Sequence, residues 1–169
     1  MTDQIFGELD FDDCSYWNGH LKLDWFGEEQ EVGLMVDSCH ESQTEISDRQ
    51  RETCRAFLEK WPELQEAVVQ EIIRYYNEEE RFAYGPDDPE EFAAWWPEIE
   101  TVEEMVKWVA LDSVVIESDS IAESCREGKR CLYLLFNRRW GGEDINDNGV
   151  GIRLLGEEID ETSFKDIAF

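Results

Sequence analysis

Hydrophobic and polar residues alternate along the first third of the chain, which is the pattern of half-buried β-strands. Residues 20–26 place Leu21, Leu23 and Trp25 on one face and polar residues on the other. Asn18-Gly19 precedes this stretch and is a strong hairpin signal, because both residues tolerate positive φ. We predict further strands over residues 5–11 and 31–37 and a turn over 27–30. Together these elements predict an antiparallel meander.

Helical spacing replaces the alternation after residue 46. Ser47 and Gln50 fit a capping box, which predicts a helix N-terminus. The hydrophobic residues that follow recur at helical spacing: Cys54, Phe57, Leu58 and Trp61. Pro62 disfavours the helical conformation of the residue before it, so we expect a break or kink there. A second helix is then expected to end near residue 80, with a hydrophobic face formed by Leu64, Val68, Ile72 and Tyr75.

Two more helix starts are predicted at Asp88 and Thr101, each followed by acidic residues. The last third returns to strands over residues 113–117, 131–139 and 150–155, with a final edge strand over 163–169. The order of meander, helices and meander predicts one α+β domain over residues 1–169. Its antiparallel sheet is built from the N- and C-terminal meanders, with the helices packed on one face.

The charge of the chain is its most unusual compositional feature. The formal net charge is -27 on 169 residues, yet the chain contains seven Trp, nine Phe and five Tyr. Such acidity is typical of disorder, but the aromatic content indicates a folded core. Residues 1–48 contain thirteen acids and one Lys, and residues 82–106 contain eight acids and no base. These runs are either solvated faces, partly neutralised by Arg residues elsewhere, or a field that attracts a basic partner.

The same composition limits which class of partner and which cellular compartment we expect. Nucleic acid and an anionic membrane would both repel this chain, so we expect a basic protein partner. We expect no secretion signal, because the opening residues contain no basic region followed by an apolar one, and no apolar run approaches the length of a membrane span. Five Cys without paired spacing then predict a cytoplasmic protein with reduced thiols and no disulfide framework.

The candidate partner-binding residues lie in the two acidic runs. They are Asp10, Asp12, Asp13, Asp87, Asp88, Glu90, Glu91, Trp95 and Trp96. Adjacent helical positions do not share a face, so we expect one Trp ring to enter the core and the other to lie near the surface. An exposed ring among acids suits cation–π contact with a partner's Arg or Lys. The alternative is that both rings pack beneath a neighbouring loop.

No complete metal or catalytic motif is present in the sequence. Residues 144–149 open like a calcium loop, but Leu155 occupies the position of its bidentate Glu, which favours a hairpin loop. The possible zinc ligands lack the spacing of a structural site: Cys14, His20, Cys39 and His40. No nucleophile is recognisably paired with a base. We therefore expect no cofactor, metal or catalytic residue, although an acid/base hydrolase stays open.

Several stretches resemble a bacterial family of domains of unknown function. They are IFGELDFDD, YWNGHLKLDWFGEEQEVGLMVD, EISDRQRETCRAFLEKW, RRWGGEDINDNGVGIRLL and FKDIAF. Relatives in such groups include immunity proteins encoded beside polymorphic toxins. The resemblance therefore implies a non-enzymatic immunity protein that blocks a basic toxin, such as a nuclease, and it implies no catalytic residues. The alternative is a small hydrolase or ligand-binding enzyme with its site in an aromatic-lined cleft.

Overall fold

A mixed β-sheet forms the centre of the computed structural model, which describes residues 1–12, 15–38, 45–142 and 149–169. The strands within these ranges are β1 (Thr2–Asp3), β2 (Gly7–Glu8), β3 (Asp10–Phe11), β4 (Tyr16–Trp25), β5 (Glu28–Asp37), β6 (Val109–Ile116), β7 (Cys131–Arg138), β8 (Gly149–Leu155) and β9 (Glu158–Phe164). β3 to β9 lie in sequence order in one sheet of seven described strands, and β1 and β2 form a separate antiparallel pair. The predicted α+β class is confirmed.

The pairing of β5 with β6 is parallel, whereas the other described neighbours in the sheet are antiparallel. A parallel pair needs a long crossover connection, and the helical segment supplies it. The helices are α1 (Asp48–Tyr75), α2 (Arg81–Tyr84), α3 (Pro89–Trp95), α4 (Val102–Met105) and α5 (Asp119–Cys125). A π-helical turn (Tyr76–Glu80) joins α1 to α2, and a 3₁₀ helix (Lys165–Ala168) follows β9.

The helix starts are confirmed where local chemistry determines them. Ser47 accepts from the Gln50 N–H and the Gln50 side chain accepts from the Ser47 N–H, which completes the capping box. Asp88 caps α3 and Thr101 caps α4. α5 was not predicted, and Ser118 provides no side-chain cap hydrogen bond at its start.

Two predictions are wrong, one of a hairpin turn and one of a helix break. Asn18-Gly19 lies inside β4, and the β4–β5 hairpin turns at Phe26-Gly27, where both residues have positive φ. Gly19 is required for another reason, since a Cβ there would lie 2.6 Å from Leu9 Cδ2 and 2.9 Å from the Glu8 carbonyl. The helix break at Pro62 is also absent: α1 is a single helix of 28 residues that includes Pro62. Trp61 is held in the core and donates Nε1–H to the Asp24 carbonyl at 2.8 Å, which favours continuation.

The two faces of the sheet are covered differently. α1 packs its buried residues Phe57, Trp61, Val68 and Ile72 against one face, where the Trp25 and Trp61 rings stack at 5.9 Å. The other face carries a smaller cluster of Val115, Cys131, Tyr133 and Leu135. The 3₁₀ helix covers part of that cluster with Ile167 and Ala168. Residues 165–168 therefore do not extend the edge strand that we predicted over 163–169; β9 occupies Glu158–Phe164 instead.

Candidate functional site

The N-terminal acids serve different purposes. Asp10 is exposed on β3 and lies opposite Asn18 of β4. Asp12 accepts the Tyr16 N–H at 2.9 Å and the Asn18 amide at 2.7 Å, so it organises the turn into β4. Asp13 lies outside the described residues. A partner contact by these three residues stays a prediction.

The acids around the start of α3 are all exposed. Asp88 accepts the backbone N–H groups of Glu90 and Glu91 at 3.0 and 2.9 Å. Glu90 and Glu91 occupy the first turn of α3, where the helix dipole favours negative charge. Asp87 immediately precedes the N-cap residue and is exposed. Partner binding by these four residues likewise stays a prediction.

The two Trp side chains are buried to different extents, and Trp95 also packs against the hydrophobic core. Trp96 is only 5% exposed, stacks on Tyr76 at 6.3 Å and lies beneath Arg138, whose Cζ is 5.7 Å from the ring centroid. Trp95 is partly buried, and its carbonyl accepts the Gly141 N–H at 3.0 Å. A direct contact with a partner is therefore open to Trp95, whereas Trp96 is buried in the core.

We define the α3–α4 surface as the acids of this segment: Asp87, Asp88, Glu90, Glu91, Glu98, Glu100, Glu103 and Glu104. All eight are exposed, and none forms an ion pair with another described residue. On α1, by contrast, Arg55 pairs with Glu52 and Arg74 pairs with Glu71. The α3–α4 surface thus contains eight exposed acids without an ion-pair partner among the described residues.

The backbone between α3 and α4 is anchored to the π-helical turn and to the first residue of α2. Arg81 donates to the Trp96 carbonyl at 2.9 Å, Tyr76 donates to the Pro97 carbonyl at 2.7 Å, and Asn77 donates to the Ile99 carbonyl at 2.6 Å. Ile99 is buried between the exposed Glu98 and Glu100. These contacts hold the acids in a defined arrangement without neutralising them.

A separate cleft of about 250 Å³ lies on the second face of the sheet, and we call it the Glu117 cleft. Its walls are formed by Tyr16, Asp37, Val115, Glu117, Ile121, Arg126, Tyr133, Ile167, Ala168 and Phe169. Glu117 follows β6, Tyr133 lies on β7, and Arg126 follows α5. The cleft therefore combines side chains from β6, β7 and the region of α5 with the C-terminal segment.

Three side chains form a polar network in this cleft. The Tyr133 hydroxyl donates to Glu117 Oε1 at 2.7 Å, and Arg126 Nη2 lies 3.2 Å from the same oxygen. Burial raises the pKa of Tyr133, so its phenol stays protonated. Burial also opposes the charge of Arg126, but its hydrogen bond to Tyr133 and the charge of Glu117 outweigh burial and raise the pKa of Arg126. Sequence reasoning missed this network because its members are distant in sequence and match no motif.

A wider groove of about 630 Å³ crosses β4, β5 and β6 on the same face, and its lining includes Asp10, His20 and Asp112. Asp112 accepts from Lys165 Nζ at 2.8 Å and from the Asn137 amide at 3.0 Å. Burial alone would raise the pKa of Asp112, but the Lys165 hydrogen bond and charge outweigh it and lower that pKa. This arrangement neutralises Asp112 and anchors the 3₁₀ helix to the sheet.

The remaining sequence candidates give no further site within the described ranges. No group of three or more His, Cys, Asp or Glu side chains there is placed to hold a metal ion. Cys54, Cys125 and Cys131 are free thiols. Cys14, Cys39, His40 and residues 143–148 lie outside the described residues. No described helix is long and apolar enough to cross a membrane.

Comparison with known proteins identifies the family but not an activity. Neither a curated protein nor a solved structure matches the chain. A family model described as a domain of unknown function, DUF6985, matches residues 5–169, so the chain belongs to this family.

Proposed function

We propose that this domain is a non-enzymatic binding protein whose α3–α4 surface docks a basic partner protein. The observation that supports the proposal is the concentration of eight exposed acids without a described ion-pair partner. Elsewhere in the fold, Arg and Lys side chains compensate many of the acids. Repulsion among unpaired acids opposes folding, and a bound basic partner would relieve it.

The electrostatics of this surface suit rapid association. Exposed charges attract an opposite partner over a Debye length of about 8 Å at physiological salt, and they act mainly on the association rate. The backbone anchors at Trp96, Pro97 and Ile99 fix the segment before binding. A fixed surface loses less conformational entropy on docking, which favours affinity.

The more specific form of the proposal is an immunity protein that neutralises a basic toxin, such as a nuclease. Carboxylates at this density would imitate the phosphates that a nuclease binds. The partly buried Trp95 lies beside them and would give a basic partner an aromatic contact. The family resemblance and the charge both support this form, and the toxin's identity would follow from the partner recovered.

The test is affinity recovery from the native cell followed by mass spectrometry. The variant carries Asp87→Asn, Asp88→Asn, Glu90→Gln and Glu91→Gln, which retain the helix cap because Asn caps as well as Asp. A matched control removes four charges elsewhere, at the exposed Glu28, Glu31, Glu59 and Glu158. We expect the wild type and the control to recover a basic protein and the α3 variant to lose it.

Stopped-flow kinetics with the recovered partner then test the electrostatic mechanism. The α3 variant should associate more slowly than the control, and the difference should shrink as salt rises. Equal recovery by both variants, or an association rate of the wild type that does not depend on salt, would refute the proposal.

A further inference from the structure

Phe26 occupies the first position of the β4–β5 turn, where an aromatic residue is unusual. Its φ is 50° and that of Gly27 is 91°, and a two-residue hairpin turn with positive φ at both residues favours Asn-Gly. A bulky side chain is strained in this left-handed conformation. The buried Gln65 accepts the Phe26 N–H at 2.8 Å and holds the turn in place. Turn chemistry alone therefore does not explain a Phe at this position.

Packing against the core accounts for part of this side chain. The Phe26 ring meets Trp25 edge to face with centroids 4.9 Å apart, yet Phe26 is 43% exposed. The residue lines a groove of about 330 Å³, which we call the Phe26 groove. The other lining residues are Glu66 of α1 and Val102, Glu103 and Val106 at α4. Strained residues cluster where proteins contact ligands, so the position of Phe26 in this groove indicates a binding role.

The walls of the groove are fixed before any ligand arrives. Val102 and Val106 pack against the hydrophobic core, and the Val106 N–H donates to the Val102 carbonyl at 3.0 Å. Thr101 caps α4 by accepting the Glu104 N–H at 3.3 Å. A ligand therefore meets a preformed surface, which lowers the entropy that is lost on binding.

The two ionisable side chains that line the groove are both acidic. Glu66 and Glu103 are exposed, so a ligand can reach their carboxylates. Neither forms an ion pair with another described residue, and Lys107, four residues after Glu103, is not part of the lining. Glu66 accepts from the neutral Gln70 amide at 3.3 Å. The groove thus combines an aromatic ring and two aliphatic side chains with two carboxylates, which together favour a cation that has an apolar stem.

We infer that the Phe26 groove receives an arginine side chain of the basic partner, with its stem against Val102 and Val106 and its guanidinium at the Phe26 ring and the carboxylates. A guanidinium stacks on aromatic faces, pairs with carboxylates and is more weakly hydrated than an ammonium, so arginine suits this groove better than lysine. The inference rests on the proposed function, because the arginine belongs to the partner and Glu103 belongs to the α3–α4 surface. It gives that surface a defined anchor in addition to its long-range charge.

The test is an NMR titration of the full ¹⁵N-labelled chain with Nα-acetyl-arginine methylamide, the arginine probe. The corresponding citrulline compound has nearly the same shape without the charge, and the lysine compound carries its charge on an ammonium. We expect saturable amide shifts at Phe26, Val102, Glu103 and Val106 with the arginine probe. Affinity for the citrulline compound should be at least about fivefold weaker, equivalent to about 1 kcal/mol, and the lysine compound should also bind more weakly than the arginine probe.

Two variants test the assignment to these side chains. Phe26→Asn removes the ring and keeps a residue that the turn favours, so the fold is retained. It should weaken binding of the arginine probe about two- to fivefold, whereas Phe82→Asn, the same change at a residue that is 73% exposed and outside the groove, should leave binding unchanged. The double variant Glu66→Gln and Glu103→Gln should weaken binding by a similar factor. No shift with the arginine probe, equal binding of the citrulline or lysine compound, or undiminished binding by either variant would overturn the inference.

The α3 variant separates this inference from the proposed function. Its four substitutions leave every lining residue of the Phe26 groove in place, so it should bind the arginine probe like the wild type. Recovery of a basic partner without binding of the probe would overturn the groove inference alone. Binding of the probe, with equal partner recovery by the α3 variant and its control, would refute docking at α3 and leave the groove as an arginine site.

Discussion

Replacing Arg138 by Met should strongly destabilise the fold, because it removes the positive charge that compensates a buried carboxylate. Arg138 forms an ion pair with Glu80 of the π-helical turn, and the two side chains are only 5% and 1% exposed. The guanidinium also lies over the rings of Trp96 and Trp140, at 5.7 and 5.6 Å from their centroids. Methionine retains much of the hydrophobic stem, so the substitution tests the charge more than the packing.

The size of the effect follows from this burial. Removing one member of a buried ion pair costs about 3–5 kcal/mol, since the other charge stays desolvated. A domain of this kind has a free energy of unfolding of about 5–15 kcal/mol, so the loss is a large fraction of the total. With an m-value of about 2 kcal/mol/M, a loss of about 4 kcal/mol lowers the urea midpoint by about 2 M. Replacing both residues by Met should recover most of the loss, because hydrophobic substitutes for a buried pair are often neutral.

Urea unfolding followed by Trp fluorescence measures these differences. The control is Lys22→Met, which breaks the exposed pair of Lys22 and Glu29, with side chains 68% and 72% exposed. We expect this control to cost less than about 1 kcal/mol. In the Arg138→Met variant, Glu80 should bind a proton more readily than in the unfolded chain, so the deficit should shrink as pH falls towards the ordinary pKa of Glu. A loss at Arg138 no larger than at Lys22, or a double variant no better than Arg138→Met, would refute the reasoning.

Three other changes test separate parts of the fold. Burial opposes ionisation of Asp3, but hydrogen bonds from Ile5 and Arg51 outweigh it and lower the pKa of Asp3. The ionised Asp3 therefore stabilises the fold above the unfolded pKa of about 3.9, and this contribution is lost as pH falls through the folded pKa. Urea midpoints measured against pH should therefore fall more steeply in acid for the wild type than for Asp3→Asn, and parallel curves would contradict this. Gly19→Ala should cost about 1–3 kcal/mol, because its Cβ would approach the Glu8 carbonyl, and an unchanged melting temperature would exclude that clash. Gln50→Glu preserves the capping box but removes the amide donor to the Asp37 carbonyl; it should lose about 1–3 kcal/mol in urea unfolding, and wild-type stability would assign Gln50 to capping alone.

Local chemistry explains which parts of the fold the sequence predicts. The helix starts at Ser47, Asp88 and Thr101 depend on hydrogen bonds within three residues, so the sequence contains the whole signal. The Asn18-Gly19 prediction failed because both residues satisfy contacts with the N-terminal segment: Asn18 bonds Asp12 and Gly19 makes room for Leu9. Those contacts form only in the folded domain. The sequence therefore cannot separate a turn glycine from a glycine at a close approach.

The two candidate sites also differ in how far the sequence predicts them. The α3–α4 surface could be predicted in part, because its acids lie within one stretch, residues 82–106, that contains no base. The sequence could not show that these acids lack ion-pair partners, which depends on where Arg side chains from other elements end. The Glu117 cleft could not be predicted, because Glu117, Arg126 and Tyr133 converge from three elements and each residue is unremarkable by itself.

The placement of the basic residues connects stability with the proposed function. Arg51, Arg126 and Arg138 each pair with an acid that is less than a tenth exposed, so these bases compensate carboxylates that the fold buries. A buried carboxylate without a counter-charge would be far more unfavourable than an exposed one, which water solvates. The exposed acids of α3 and α4 can therefore stay uncompensated at a modest repulsive cost. Because that cost is relieved when positive charge binds, the same distribution that permits folding favours association with a basic partner.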